Sequence, residues 1–159
     1  MNIAHHLDRV AALRPDGPAL AHGDHVVADF ARLRARVARM AGALSGRLAL
    51  KPGDRVVVLM ANSPAYVEIL FACWWAGLAA VPVNAKLHAR EVAYVLDHSG
   101  ARLAFFSPDT SALLAEAMRL AEGPASVAIE SGSPDYDALD RGEPGALAEV
   151  DAGSLAWLF

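Results

Sequence analysis

The sequence predicts an α/β fold in three layers, a mostly parallel sheet flanked by helices. Two observations carry that prediction. Short unbroken apolar runs at residues 56–60, 78–83 and 103–106 alternate with longer stretches of helical spacing; a strand apolar at successive positions is one covered on both faces, as parallel strands are. Between the first two runs, residues 65–76 carry a single charge, Glu68, and two adjacent tryptophans, Trp74 and Trp75. Neighbouring residues point about 100° apart around a helix, so the indoles cannot share one face and the helix must be enclosed by protein. Strand, enclosed helix and strand then make a crossover unit with parallel strands.

Taken in order, Asn2 is placed to cap a first helix in which Ile3, Leu7 and Val10 recur at helical spacing until Arg14-Pro15 stops it. Residues 18–21 and 25–27 read as a hairpin turning at His22-Gly23-Asp24. Asp29 then caps a helix running to about residue 48, with Phe30, Leu33, Val37, Met40, Leu44 and Leu48 on one stripe. Arg32, Arg36 and Arg39 lie opposite, where a solvated helix face is the plainer reading. Lys51-Pro52-Gly53-Asp54 has the chemistry of a type II turn and opens the strand at residues 55–60. Ser63 is a good cap with Pro64 at the first helical position, and Gly77 closes that helix before the second strand.

Farther on, His88 and Glu91 have the spacing of a capping box, and the helix they open, with Val92, Ala93 and Leu96 inward, stops at Ser99-Gly100. Residues 102–106 form the next strand. Ser107-Pro108 opens a helix whose inner face holds Leu113, Leu114, Ala117 and Ala121, and residues 126–129 suggest a further strand. Residues 130–152 are rich in Gly, Pro, Ser and acids and read as a long surface connection, with one helical turn at residues 136–139. Residues 155–159 read as a strand ended part-way, since five apolar residues need a sheet to hold them.

Composition agrees with a single core. The chain has 159 residues, 55% of them apolar, and a mean hydropathy of +0.29, which calls for a sheet buried on both faces or for surface covered by a partner. Net charge is +4 over residues 1–108 and −8 over 109–159. The arginines are scattered among acids without interleaved aromatics, which argues against nucleic-acid binding. One cysteine, Cys73, excludes an internal disulfide and fits a cytoplasmic setting. The N-terminus lacks the apolar core of a signal peptide, and the longest uncharged run, 17 residues from 69 to 85, holds Gly77 and Pro82 and falls short of a membrane span.

Gly53-Asp54-Arg55-Val56, Asn62-Ser63-Pro64, Trp75-Ala76-Gly77, Val81-Pro82-Val83-Asn84 and then Glu91, Tyr94, Leu96, Ser99, Gly100 and Ala101 resemble, in order and spacing, the N-terminal subdomain of the adenylate-forming enzymes. The resemblance covers residues 3–159. Two positions depart from it: the family usually has Thr or Ser near Ala28-Asp29, and often Thr at His88. Residues 83–87 with Glu91 look more like the fatty-acid and aromatic-acid CoA ligases than peptide-synthetase adenylation domains. The resemblance implies a parent enzyme that joins an acid to ATP as an acyl-adenylate and passes the acyl group to CoA, using ATP, Mg²⁺ and CoA. It also implies that the strand at residues 155–159 runs into a Ser/Thr/Gly-rich phosphate loop lying beyond this chain. On that reading residues 1–129 are a truncated α/β N-terminal subdomain, 130–152 an acidic connection and 153–159 the start of the strand toward the loop.

No catalytic, cofactor-binding or metal-binding residue is therefore expected here, and no cofactor is expected to bind this fragment. The weaker candidates have plainer explanations. Cys73 lies in an apolar helix, where a thiol is unreactive. His5 and His6 diverge on a helix, and His22 and His25 lack ligand partners at metal spacing. Residues 60–64 present a helix N-terminus to an anion, but Pro64 removes a donor. Arg32, Arg36 and Arg39 invite a phosphate or CoA, and Tyr66, Trp74 and Trp75 an acyl pocket, though core and solvated surface account for both. The phosphate-binding and nucleophile-elbow glycine motifs are absent from the sequence. Expected partners are the remainder of the parent ligase and a second copy through exposed apolar surface. The competing readings are a free-standing, non-enzymatic interaction module and a flavodoxin-like binding domain.

Overall fold

The computed structural model describes residues 2–123 and 126–159. Its elements are α1 (His5–Leu13), β1 (Pro18–His22), β2 (His25–Asp29), α2 (Phe30–Ser45), β3 (Arg55–Leu59), α3 (Pro64–Trp75), β4 (Ala79–Pro82), α4 (Ala89–Ser99), β5 (Leu103–Phe106), α5 (Ser111–Leu120), β6 (Val127–Glu130) and α6 (Pro134–Ala138). Short 3₁₀ turns occupy Pro108–Thr110 and Leu139–Arg141. Four strands make a parallel sheet in the order β4-β3-β5-β6, and β1 and β2 form a separate antiparallel hairpin.

The apolar run of β3 is continuous because the strand is interior and covered on both sides. Val56 sits opposite Ala80 on one flank and Leu103 on the other. Val56 and Val58 join the core built with α1, α2 and α3, whereas Val57 and Leu59 join the one built with α4 and α5. These are the three layers the sequence predicts. Trp74 and Trp75 are both buried, so α3 is enclosed. Ser63 caps it, its hydroxyl accepting from Tyr66 N–H at 3.2 Å, and Gly77 ends it at φ +73°, a conformation that disfavours any side chain. Asp29 caps α2 as predicted, accepting from Arg32 N–H at 2.7 Å.

Other expectations need correction. Asn2 does not cap α1, which starts at His5; its Oδ1 accepts from Ala4 N–H at 2.9 Å, and its amide turns inward. Beyond Ser107, which remains the N-cap, the chain makes a 3₁₀ turn before α5, and Thr110 Oγ1 accepts from Ser107 N–H at 3.1 Å. The capping box expected at His88 is present, closed by Glu91, which accepts from His88 N–H at 2.8 Å.

Residues 130–152 do not simply run over the surface. Tyr136 and Leu139 are buried in the core shared by α2 and α3. Farther on, the terminal apolar residues lie parallel to β4: Ala80 N–H donates to Ala156 O at 3.0 Å, and Leu158 N–H donates to Ala80 O at 2.9 Å.

Candidate functional site

In an open α/β sheet, ligands bind outside the carboxyl ends of the strands where strand order reverses. Here that point lies between β3 and β5, because the chain leaves β3 for β4 on one flank and returns to β5 on the other. The place is filled from within. Thr110, 3% exposed, donates its hydroxyl to Leu59 O at 2.8 Å, tying the turn after β5 to the end of β3. Beside it, α3 begins with Pro64, which has no N–H, and Ser63 takes the Tyr66 N–H.

Among the described residues, the densest polar cluster lies between α2, α3 and the turn after α6. Arg36 Nε donates to Glu68 Oε2 at 2.9 Å, and its Nη1 donates to Asp140 Oδ2 at 2.6 Å. Arg39 Nε donates to Asp140 Oδ1 at 2.8 Å. Tyr136 completes the set by donating its hydroxyl to Glu68 Oε2 at 2.8 Å, with the Arg36 guanidinium 5.6 Å from its ring centre. Burial opposes the charge on Arg36, but the Glu68 and Asp140 carboxylates outweigh it and raise the affinity of the guanidinium for its proton. Burial, and after it the Glu68 charge, pushes the Tyr136 phenol upward as well.

The solvated reading of the arginine face is therefore right for exposed Arg32 and wrong for Arg36 and Arg39. A groove of about 420 Å³ beside them is bordered by Val27, Arg32, Arg36, Arg39, Glu68 and Asp140. Two of its three guanidiniums are already answered by carboxylates. The arrangement is a staple between elements, and it leaves little uncompensated charge for a phosphate.

Other candidate residues are structural in their settings. Burial pushes the Cys73 thiol up to about 12, the condition of an inert cysteine. Trp74 and Trp75 spend their indole N–H groups on Ala156 O at 3.0 Å and Gly145 O at 2.9 Å, and Tyr66 is half-buried on the same helix. His5, His6, His22 and His25 are exposed. Among the described residues, no group of three or more His, Cys, Asp and Glu side chains converges to hold a metal ion.

The same architecture recurs in solved structures. A benzoate CoA ligase from Burkholderia xenovorans superposes with a TM-score of 0.87 at 25% identity, over 99% of this chain and 32% of that one. An N-terminal domain of FACL13 from Mycobacterium tuberculosis does so with a TM-score of 0.84 at 26% identity, over 99% of this chain and 41% of that one. In sequence, residues 7–156 match the family described as AMP-binding enzyme. The chain belongs to that family.

Among curated AMP-binding relatives, a feruloyl-CoA synthase from Amycolatopsis is 42% identical, covering 94% of this chain and 33% of that protein. A probable acyl-activating enzyme 9 from Arabidopsis thaliana is 31% identical over 81% of this chain and 24% of that protein. The chain thus spans about a third or less of the length of these relatives. At the switch point the buried Thr110 is tied to Leu59 O, and Arg36 and Arg39 are paired with carboxylates within the chain.

What the sequence did not reveal is how residues 143–157 are held. Their partners are Ala38 in α2, Trp74 and Trp75 in α3, Asn2 and β4. A signal was present in the two tryptophans, because a buried indole N–H needs an acceptor.

Proposed function

We propose that the chain is the N-terminal scaffold of an ATP-dependent acyl-CoA ligase, in which a carboxylic acid and ATP form an acyl-adenylate and CoA then accepts the acyl group as a thioester. The observation that carries this reading is the AMP-binding match over residues 7–156, and the 42% identity to a feruloyl-CoA synthase points it toward CoA ligases. In this reading residues 1–129 supply the α/β subdomain, 130–152 the connection and 153–159 the start of the strand toward the phosphate loop. Catalytic, cofactor and metal ligands lie outside the chain, which is inert alone. ATP, Mg²⁺ and CoA are held by other parts of a longer ligase, and the chain's partner is that remainder.

Leu155 and Phe159, 50% and 96% exposed beside β4, offer the apolar surface for that partner or for a second copy. The setting is cytoplasmic, a reading supported by the lone buried thiol. Among the described residues no helix is long and apolar enough to cross a membrane.

Two assays test the proposal. Incubated with ATP, Mg²⁺, CoA and a panel of fatty, benzoic and hydroxycinnamic acids, the purified chain releases no pyrophosphate and forms no thioester; turnover by the chain alone refutes the inert scaffold. A hybrid in which the chain replaces the matching third of the Amycolatopsis feruloyl-CoA synthase forms feruloyl-CoA; a folded but inactive hybrid counts against the ligase reading. Sedimentation of the chain across a concentration series tests self-association.

A further inference from the structure

We propose that residues 143–157 act as a strap whose course is fixed at two crossings, and that Gly42, Gly145 and Asn2 are positioning residues that hold its far end along the edge of β4. The inference concerns the chain's own backbone and stands apart from the ligase reading.

The first crossing is over α2. Gly145 N–H donates to Ala38 O at 2.8 Å, and Gly145 O accepts from Trp75 Nε1 at 2.9 Å. The backbones touch, because a Cβ on Gly42 would lie 2.2 Å from Glu143 O, and one on Gly145 would lie 2.8 Å from Gly42 N. Neither position has room for a methyl group unless the strap lifts.

At the second crossing, Ala148 N–H donates to Trp75 O at 2.8 Å. Asn2, 3% exposed, divides its amide between Trp74 O at 2.6 Å and Ala148 O at 3.0 Å. A single side chain therefore bolts the N-terminal residues, the end of α3 and the strap together.

Past Ala148 the strap bridges open space. Residues 151–155 are exposed, and crevices of about 190 and 600 Å³ lie between this span and Gly77. The strap meets the body again at Ala156, whose carbonyl accepts from Ala80 N–H and from Trp74 Nε1, and just past it Leu158 N–H donates to Ala80 O. An exposed sheet edge is a template for stray strands, so the strap covers a position on β4 that would otherwise pair elsewhere. With no support beneath residues 151–155, the placement of Ala156 depends on the crossings behind it and on Trp74.

Amide hydrogen exchange tests this in the full chain, comparing Gly145→Ala, Gly42→Ala and Asn2→Ala with Gly142→Ala, where an added methyl meets nothing. The amides of Leu158 and Ala80 exchange roughly tenfold faster or more in the first three variants, the loss expected when such bonds open locally. Amides in β3 and β5 keep their slow exchange, and Gly142→Ala matches the unsubstituted chain. Unchanged protection at Leu158 and Ala80 overturns the proposal. So does an equal loss throughout β3 and β5, which assigns these residues to general stability. Should the glycine variants fail to fold, Asn2→Ala decides on the same readout.

Discussion

Replacing Arg36 by alanine removes one ion-pair partner from a half-enclosed cluster. The side chains of Arg36, Glu68 and Asp140 are 27%, 11% and 23% exposed. Breaking a fully buried pair from one side costs about 3–5 kcal/mol, because the remaining charge is left without compensation. Partial exposure lowers that, since water screens the cluster and reaches the orphaned group. Asp140 also keeps Arg39, and Glu68 keeps the Tyr136 hydroxyl.

The expected loss is therefore about 2–3 kcal/mol. With a urea slope of about 2 kcal/mol per molar, the unfolding midpoint falls by roughly 1–1.5 M. Arg36→Lys recovers part of the loss, because an ammonium cannot reproduce the fork that reaches two carboxylates at once. The cycle of Arg36→Ala, Glu68→Ala and the double variant gives a coupling of about 1 kcal/mol or more. A loss for Arg36→Ala below about 0.5 kcal/mol with coupling near zero would refute the staple and return Arg36 to the surface.

Thr110→Val keeps the shape but strips the hydroxyl that serves Leu59 O and Ser107 N–H; urea unfolding shows a loss of about 1–3 kcal/mol, and a neutral result removes its role as a tie. Lys51 N–H and the Arg102 guanidinium outweigh the burial of Asp54 and hold its pKa below the usual 3.8. Stability from this group is present above that value and is lost as pH falls through the depressed folded value, so Asp54→Asn flattens the acid limb of the stability curve. The Cys73 thiol titrates from 9.0 when free to about 12 when buried, so the unfolded chain ionises first and Cys73 makes stability fall as pH rises through that window. Cys73→Ala removes that component, and alkylation of Cys73 at neutral pH proceeds only as fast as the chain opens; rapid labelling of the folded chain contradicts the burial.

The unit from β3 to β4 was legible because local and global signals agree there. An unbroken valine run, a Ser-Pro start, two tryptophans and a closing glycine all ask for the same enclosed crossover. The Asp29 cap was legible for the same reason. Asp140 was not, since it meets Arg36 from 104 residues away, and nothing in the spacing of either residue names the other. Asn2 misled because its residue type suits a cap, while burial against Trp74 and Ala148 gave the amide a different use. At Ser107 both residues of the turn can cap, and the tie to Leu59 O holds Thr110 Oγ1 where it takes the Ser107 N–H. A polar stretch such as residues 130–152 conceals Tyr136 and Leu139 until the groove that receives them exists.

The strand order carries a consequence for how the chain assembles on the ribosome. β3 emerges before the other members of its sheet, and β4, β5 and β6 each join a neighbour that has already left the tunnel. Growth is thus outward from the middle and in the order of translation, without waiting for a later strand to slot between two earlier ones. The exception is α2, made before β3, whose Arg36 and Arg39 meet Asp140 only about a hundred residues afterwards. A nascent chain whose first 130 residues have left the tunnel should protect the sheet from protease while α2 is cut more readily than in the full chain.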